Sequence, residues 1–278
     1  MMNENLRSMI LDTELLPKQT GMFYLGQVGF LFKYRGKYIL VDPYLTDYVD
    51  RNFSTEAVHW ERRYPAPISP DEVDFADLVL CTHPHADHAD PETLTAIAKA
   101  SGKAVFAGPA SVCAAYRSYG IPEERICCLT IDEEKEFFED ICVTMIPAAH
   151  EELHPDGQGG YEETGYILNL GGKRIFHSGD CCPYEGLEKR IMNCDVLMMP
   201  VNGRDYYRRY EKDIIGCFEP AEAAIIASRT NAGLLVPMHI DLYDVNALNP
   251  AVFVDILQTY AEKQRFHLFM PGELYILP

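Results

Sequence analysis

Residues 82–88 read Thr82-His83-Pro84-His85-Ala86-Asp87-His88, and this stretch is the strongest indicator of the fold and of the chemistry. It follows the apolar run Leu78–Cys81, which is typical of a buried strand. On a loop that leaves a strand, side chains two residues apart can point to one metal ion, and those further along can turn towards a second. Imidazole and carboxylate together suit zinc, manganese or iron. The stretch therefore predicts a metal site.

Length and charge limit the partners of such a site. The chain has 278 residues, 24 Lys and Arg against 42 Asp and Glu, and a net charge of −18, with 47% hydrophobic residues. This composition is that of a globular protein with a substantial core. Nucleic acids and anionic membrane surfaces need clustered positive charge, so we expect neither as a partner. We expect a small-molecule substrate, which can still be an anion because a metal ion or a few arginines make a positive pocket.

The cysteines and the apolar runs indicate the compartment. No apolar stretch approaches the ~20 residues of a spanning helix, and residues 1–18 have no continuous apolar core of a signal peptide. The nine cysteines include no Cys-x-x-Cys pair. We therefore expect a cytoplasmic protein with reduced thiols, in which Cys81 and Cys181 are small buried packing residues.

The rest of the chain alternates short apolar runs with helical patterns, which predicts an α/β protein. Strands are expected at 23–25, 29–34, 38–41, 77–81, 104–107, 141–146, 165–170, 174–176, 195–200, 234–238 and 266–270. Helices are expected at 91–100, 110–119, 219–230 and 250–263. Two groups of strands, each followed by helices, indicate two mixed sheets packed face to face with helices outside, in one domain over residues 1–278. Residues 43–72 hold four prolines and the only tryptophan, and are expected to form an irregular, partly helical cover loop.

The stretch at residues 83–88 matches the His-x-His-x-Asp-His motif of the metallo-β-lactamase superfamily, and the resemblance extends over nearly the whole chain. It implies that superfamily's four-layer αββα sandwich. Its later ligands follow successive strands, and matching positions here are His150, Asp180 and His239. The resemblance implies two divalent ions. Their implied ligands are His83, His85 and His150 for one ion, Asp87, His88 and His239 for the other, and Asp180 as a bridge.

The same resemblance implies a hydrolase. Two ions ~3.5–4 Å apart can hold a hydroxide that acts as the nucleophile, and can polarise a carbonyl or phosphoryl oxygen. Asp87 is the candidate catalytic residue that orients the water or moves its proton. Manganese or zinc are the expected ions, and iron also fits the ligands.

Residues 201–210, Val-Asn-Gly-Arg-Asp-Tyr-Tyr-Arg-Arg-Tyr, point towards a substrate. Arginine forks bind phosphate or carboxylate, and amides and hydroxyls suit a sugar, although a solvated charged loop would look similar. The stretch resembles the L-ascorbate-6-phosphate lactonase branch, which implies a manganese-dependent, cytoplasmic homo-oligomer that opens a small anionic lactone. The expected substrate contacts are Asn202, Arg204, Asp205 and Tyr206.

Other functions on the same metal core stay open. One is a phosphodiesterase for a small or cyclic diester, although the net charge of −18 disfavours a nuclease. Another is a metal-binding sensor without turnover, which should have lost a ligand, whereas all seven positions carry side chains able to bind a metal ion. A redox protein similar to the flavodiiron proteins is disfavoured because those carry glutamate where this chain has His85.

Overall fold

The computed structural model describes residues 6–278. Within this range the helices are α1 (Leu6–Asp12), α2 (Tyr48–Phe53), α3 (Pro91–Ala100), α4 (Ala110–Ser118), α5 (Leu187–Arg190), α6 (Pro220–Arg229) and α7 (Pro250–Tyr260). The strands are β1 (Thr20–Gly26), β2 (Gly29–Tyr34), β3 (Lys37–Val41), β4 (Leu78–Leu80), β5 (Val105–Gly108), β6 (Ile126–Cys128), β7 (Glu134–Phe138), β8 (Ile141–Pro147), β9 (Thr164–Leu170), β10 (Lys173–His177), β11 (Val196–Pro200), β12 (Leu234–Met238) and β13 (Leu274–Leu277). Most predicted elements are confirmed to within about three residues at each end. The chain divides into two compact units.

The first unit comprises residues up to 52, Tyr64–Leu129 and Phe269–Pro278. Its sheet has seven strands in the order β13-β1-β2-β3-β4-β5-β6. The strands from β13 to β3 are antiparallel, and those from β3 to β6 are parallel. Apolar side chains of α1, α3 and α4 pack against one face of this sheet, where Phe23, Val79 and Phe106 are fully buried beside Leu94 of α3 and Tyr116 of α4. The parallel half places the carboxyl ends of β3 and β4 at the same edge.

The second unit comprises Phe53–Arg63 and Thr130–Leu268. Its six strands lie in the order β12-β11-β10-β9-β8-β7, with β10, β11 and β12 parallel and the others antiparallel. Helices α6 and α7 cover one face, with Ala223, Phe253 and Leu257 packed against Leu197 and Leu235. Each unit thus contains one mixed sheet, part antiparallel and part parallel, as the two predicted groups of strands require. The carboxyl ends of β8, β10, β11 and β12 share one edge, because β8 runs antiparallel to β9 and β9 antiparallel to β10.

The structure corrects the expected position of the last strand and gives the elements of the cover segment. Residues 266–270 were expected to be the last strand, but they contribute only an isolated bridge between Phe266 and Leu235. The last strand is instead β13, which pairs with β1 in the first sheet. The apolar side chains in the expected stretch serve packing instead, since Phe266 and Leu268 lie against the core of the second unit. The cover segment 43–72 contains α2 and a 3₁₀ turn, Pro70–Glu72, and is otherwise irregular.

The expectation of uniformly reduced thiols is also corrected. Cys113 of α4 and Cys128 of β6 form a disulfide with their Cα atoms 5.9 Å apart. Helix α4 follows β5, which pairs with β6, so the fold brings together two thiols that are 15 residues apart in sequence. The remaining seven cysteines are free, and Cys81 and Cys181 are buried as expected. No helix among residues 6–278 has both the length and the apolarity needed to cross a membrane.

Candidate metal centre

The connection from β4 to α3 carries the four ligand candidates of the first unit. A turn closes it, since the backbone N–H groups of His88 and Ala89 both donate to the carbonyl of His85. Asp90 then caps α3 by accepting the backbone N–H groups of Glu92 and Thr93. The strand on one side and the capped helix on the other therefore fix the backbone between them.

This turn brings three imidazoles together. His83 Nε2 lies 3.0 Å from His85 Nδ1, and the rings of His83 and His88 have centroids 4.0 Å apart. His83 and His88 are buried, His85 is exposed and Asp87 is half-buried. An Asp87 carboxylate oxygen lies 3.7 Å from His88 Nε2. The structure thus brings the side chains of all four predicted ligands of this motif close together.

Asp42, which the sequence reasoning missed, holds this turn from the end of β3. It is fully buried and accepts hydrogen bonds from the backbone N–H and the hydroxyl of Thr82, both at 2.7 Å. The oxygen that accepts the Thr82 hydroxyl also lies 2.9 Å from His88 Nδ1. A carboxylate oxygen accepts hydrogen bonds, so this contact favours the tautomer of His88 that carries its proton on Nδ1, in which Nε2 is the nitrogen able to bind a metal ion.

A second missed residue, Gln27, positions Asp87. It lies in the turn between β1 and β2, is buried, and donates its amide to an Asp87 carboxylate oxygen at 3.0 Å. Gly26 before it has φ +100°, and a Cβ there would meet the Tyr64 ring at 3.0 Å. Glycine is therefore required at position 26. The turn that it allows places the Gln27 amide within hydrogen-bond distance of Asp87.

In the second unit the three predicted ligands converge at the shared edge of the sheet. His150 follows β8, Asp180 follows β10 and His239 follows β12. One Asp180 carboxylate oxygen lies 3.9 Å from His150 Nε2 and 3.5 Å from His239 Nε2. All three side chains are buried. Ligands at the carboxyl ends of neighbouring strands are typical of sites in α/β proteins.

Cys217 lies in the same group, although nothing in the sequence indicated it. Its sulfur, one nitrogen of His150 and one carboxylate oxygen of Asp180 all lie within 4.8 Å of one another. Burial raises the pKa of the Cys217 thiol well above its usual range, and the Asp180 carboxylate raises it further.

The predicted substrate residues lie after β11, at the same edge of the second sheet. Asn202 is buried, and its amide nitrogen donates to the side chain of Asn246 at 2.9 Å. Its Oδ1 is buried and has no hydrogen-bond partner among the described residues. Tyr206 is exposed. The backbone N–H of Arg208 donates to the Asp205 carboxylate, and this bond, together with the Arg208 side chain that pairs with it, lowers the pKa of the Asp205 carboxyl.

Arg204 is held by protein groups. Its guanidinium donates to Glu222 at 2.6 Å and to the carbonyl of Cys217 at 2.9 Å. It lines a cavity of about 630 Å³ within the second unit, where Arg209 pairs with Glu151 at 2.8 Å. The remaining lining residues are His150, Glu152, His154, Cys182, Pro183, Ile215 and Glu222.

The four histidines outside the predicted ligand set play other roles. His177 Nδ1 accepts the backbone N–H of Gly179 at 3.2 Å, which holds the loop that carries Asp180. His154 pairs with Glu163 at 2.9 Å, and His59 is exposed. His267 belongs to no candidate metal group of the described residues.

Comparison with known proteins gives the family of this chain. The profile of the beta-lactamase superfamily domain matches residues 37–240, which is well over half of the chain. The chain belongs to that superfamily. A UPF0173 metal-dependent hydrolase from Caldivirga maquilingensis is 24% identical over 257 residues, covering 92% of this chain and 97% of that protein.

Solved structures confirm the fold of this superfamily member. Igni18, a metallo hydrolase from Ignicoccus hospitalis, superposes with a TM-score of 0.70 at 18% identity, over 94% of this chain and 99% of that one. An isothiocyanate hydrolase from Delia radicum gut bacteria gives a TM-score of 0.72 at 16% identity, over 92% and 98%. The predicted α/β fold class is therefore confirmed.

The donor set fits a divalent cation, as expected for a relative of metal-dependent hydrolases. Buried imidazole nitrogens and a buried carboxylate oxygen meet at distances that one ion can span. The contact between Asp42 and the Nδ1 of His88 is the arrangement in which a carboxylate supports a metal-binding histidine. This member of the superfamily therefore has a donor set able to hold a divalent cation.

Proposed function

We propose that the chain is a dinuclear hydrolase that opens a small anionic lactone. The proposed ligands are the seven residues named from the sequence: His83, His85, Asp87, His88, His150, Asp180 and His239. The observation that carries the proposal is the position of Asp180, a buried carboxylate within 4 Å of two histidines that follow separate strands. A carboxylate so placed suits a bridge between two ions.

The mechanism derives from the residues around these ligands. A divalent ion held by these residues would supply a water of near-neutral pKa and would polarise the scissile carbonyl. Asp87, held by the Gln27 amide, accepts the proton of the attacking water and returns it to the leaving alkoxide. Asn202, whose Oδ1 has no hydrogen-bond partner among the described residues, is the proposed acceptor for a substrate hydroxyl.

The lactone follows from the resemblance of residues 202–208 to the lactonase branch, and its negative charge follows from the two arginines that line the cavity. Arg204 and Arg209 line the cavity, but Glu222 and Glu151 already pair with them. A substrate phosphate must therefore replace a carboxylate on one of these arginines. Phosphorylated and neutral lactones should differ in KM if this exchange occurs.

Metal analysis followed by activity assays tests the proposal. The protein is purified without added metal, reconstituted with Mn²⁺ or Zn²⁺, and assayed on a phosphorylated sugar lactone, the neutral lactone and a bis-aryl phosphodiester. We expect two ions per chain and metal-stimulated lactone opening, with metal content and activity lost in His85→Ala but kept in the control His59→Ala. Cleavage of the diester alone would replace the lactonase with a phosphodiesterase. Absence of bound metal would refute the ligand assignment.

A further inference from the structure

Cys217 is a sulfur donor next to two of the proposed ligands. Its Sγ lies within 4.8 Å of a nitrogen of His150 and an oxygen of Asp180, and all three residues are buried in the second unit. We infer that Cys217 is a sulfur ligand of the metal ion that His150 and Asp180 bind. This inference rests on the proposed function for the presence of the ion, and it adds a ligand that the His and Asp motif does not contain.

The three donor atoms are close enough to converge on one ion. Zinc binds sulfur at about 2.3 Å and imidazole nitrogen or carboxylate oxygen at about 2.0–2.2 Å, so two ligand atoms in a tetrahedral site lie about 3.6 Å apart. The three atoms here lie within 4.8 Å of one another, so side-chain rotations that move them by about 1 Å bring them to that spacing. On binding, the sulfur releases its proton to solvent and coordinates as the thiolate.

The backbone around Cys217 is fixed in place. Arg204 donates to the carbonyl of Cys217 at 2.9 Å and is itself held by Glu222. The thiol of Cys182 donates to the carbonyl of Gly216 at 3.6 Å, next to Cys217 in the chain. These contacts hold the sulfur beside Asp180, and they give Arg204 a role in positioning Cys217.

Other buried thiols of this unit differ from Cys217. Cys194 is equally buried, but it packs among apolar side chains and belongs to no candidate metal group of the described residues. Burial alone therefore does not distinguish Cys217, whereas the neighbouring imidazole and carboxylate do. Cys194 is accordingly the matched control for a substitution at position 217.

A thiolate ligand changes which ion the site prefers. Soft sulfur favours zinc and other thiophilic ions, whereas manganese prefers oxygen donors. We therefore expect the wild-type protein to bind Zn²⁺ more tightly than Mn²⁺, and Cys217→Ser to lower the Zn²⁺ affinity by at least about tenfold. The Mn²⁺ affinity should change much less.

Spectroscopy of the cobalt-substituted protein tests the ligand directly, without an activity assay. Wild type, Cys217→Ser and Cys194→Ser are loaded with Co²⁺, and the near-ultraviolet absorption is recorded together with cobalt content. We expect a sulfur-to-cobalt charge-transfer band in wild type and Cys194→Ser that is absent in Cys217→Ser. X-ray absorption of the zinc-loaded wild type needs no variant and should show one sulfur at about 2.3 Å.

The outcomes separate this inference from the proposed function. Bound metal without a charge-transfer band or a sulfur neighbour in wild type overturns the role of Cys217 and leaves the metallohydrolase standing. A band that persists in Cys217→Ser also overturns it, because another thiol must then be the ligand. Failure of the wild-type protein to bind any divalent ion overturns both.

Discussion

Replacement of Asp42 by asparagine should weaken metal binding although Asp42 itself is not a ligand. The buried carboxylate accepts two hydrogen bonds from Thr82 and one from His88 Nδ1, all between 2.7 and 2.9 Å. Asparagine keeps one acceptor oxygen but places an NH₂ group against these donors. Asp42 has φ +45°, and asparagine tolerates this left-handed backbone better than most residues, so the substitution changes charge and hydrogen bonding with little backbone strain.

The magnitude follows from the role of the contact. Loss of a carboxylate that supports a metal-binding histidine lowers metal affinity by about 10- to 100-fold, which is about 1.4–2.8 kcal/mol. Hydrogen bonds to a charged group contribute about 1.5–3 kcal/mol to folding, so the metal-free protein should also melt at a lower temperature. The stabilisation that added metal gives should shrink as well, because it depends on the ratio of metal concentration to Kd.

Competition titration with a chromophoric chelator measures the affinity, and thermal unfolding with and without Zn²⁺ measures the stabilisation. Asp77→Asn is the matched control, because Asp77 also accepts hydrogen bonds in this sheet, from Lys37 and the backbone of Tyr38, but contacts no proposed ligand. A folded Asp42→Asn protein that binds Zn²⁺ as tightly as wild type would refute the role assigned to Asp42.

Substitutions at three further positions address catalysis and stability. Gln27→Leu removes the amide that holds Asp87 and should lower kcat about tenfold with unchanged metal content, as steady-state kinetics and metal analysis would show. Asp90→Ala removes the cap of α3 and should lower the free energy of unfolding in urea by about 1–2 kcal/mol, whereas Asp90→Asn should retain most of it. Burial raises the pKa of Cys194 to about 11, so its thiol stays protonated in the folded chain while the unfolded thiol ionises near pH 8.5. Stability should therefore fall between about pH 8.5 and 11, with a slope of about 1.4 kcal/mol per pH unit from this group, and Cys194→Ala should reduce that slope.

The parts of the fold that the sequence predicts well are those governed by local signals. Helix α3 begins at Pro91 after the Asp90 cap and ends at Ala100, as its pattern predicts. Residues 266–270 show the limit of such signals, because an apolar run can pack on a core as well as pair in a sheet. The local pattern also does not show that the last strand, Leu274–Leu277, returns to the first sheet beside β1.

The ligand candidates were accessible from sequence because each lies at the end of an apolar run. The strand predicts where its following residue will be, and several strands ending at one edge predict that these residues meet. His150, Asp180 and His239 show this in the second unit. The same reasoning treats Arg204 as a substrate contact, because sequence shows its charge but not Glu222, which lies 18 residues away and pairs with it.

Residues that position the ligands escape this reasoning because their partners are distant in sequence. Asp42 reaches His88 across 46 residues, and Gln27 reaches Asp87 across 60. In the sequence, Asp42 is only an acidic residue after β3, and Gln27 is only a residue in a glycine-containing turn after β1. Both features occur in many proteins without a metal site. Cys217 is the hardest of these residues to predict, because a single cysteine forms no sequence motif. Only its position beside His150 and Asp180 in the folded chain makes it a candidate ligand. Metal preference therefore depends on the supporting residues, which differ among chains that share the His-x-His-x-Asp-His motif, and a common motif does not establish a common ion or substrate.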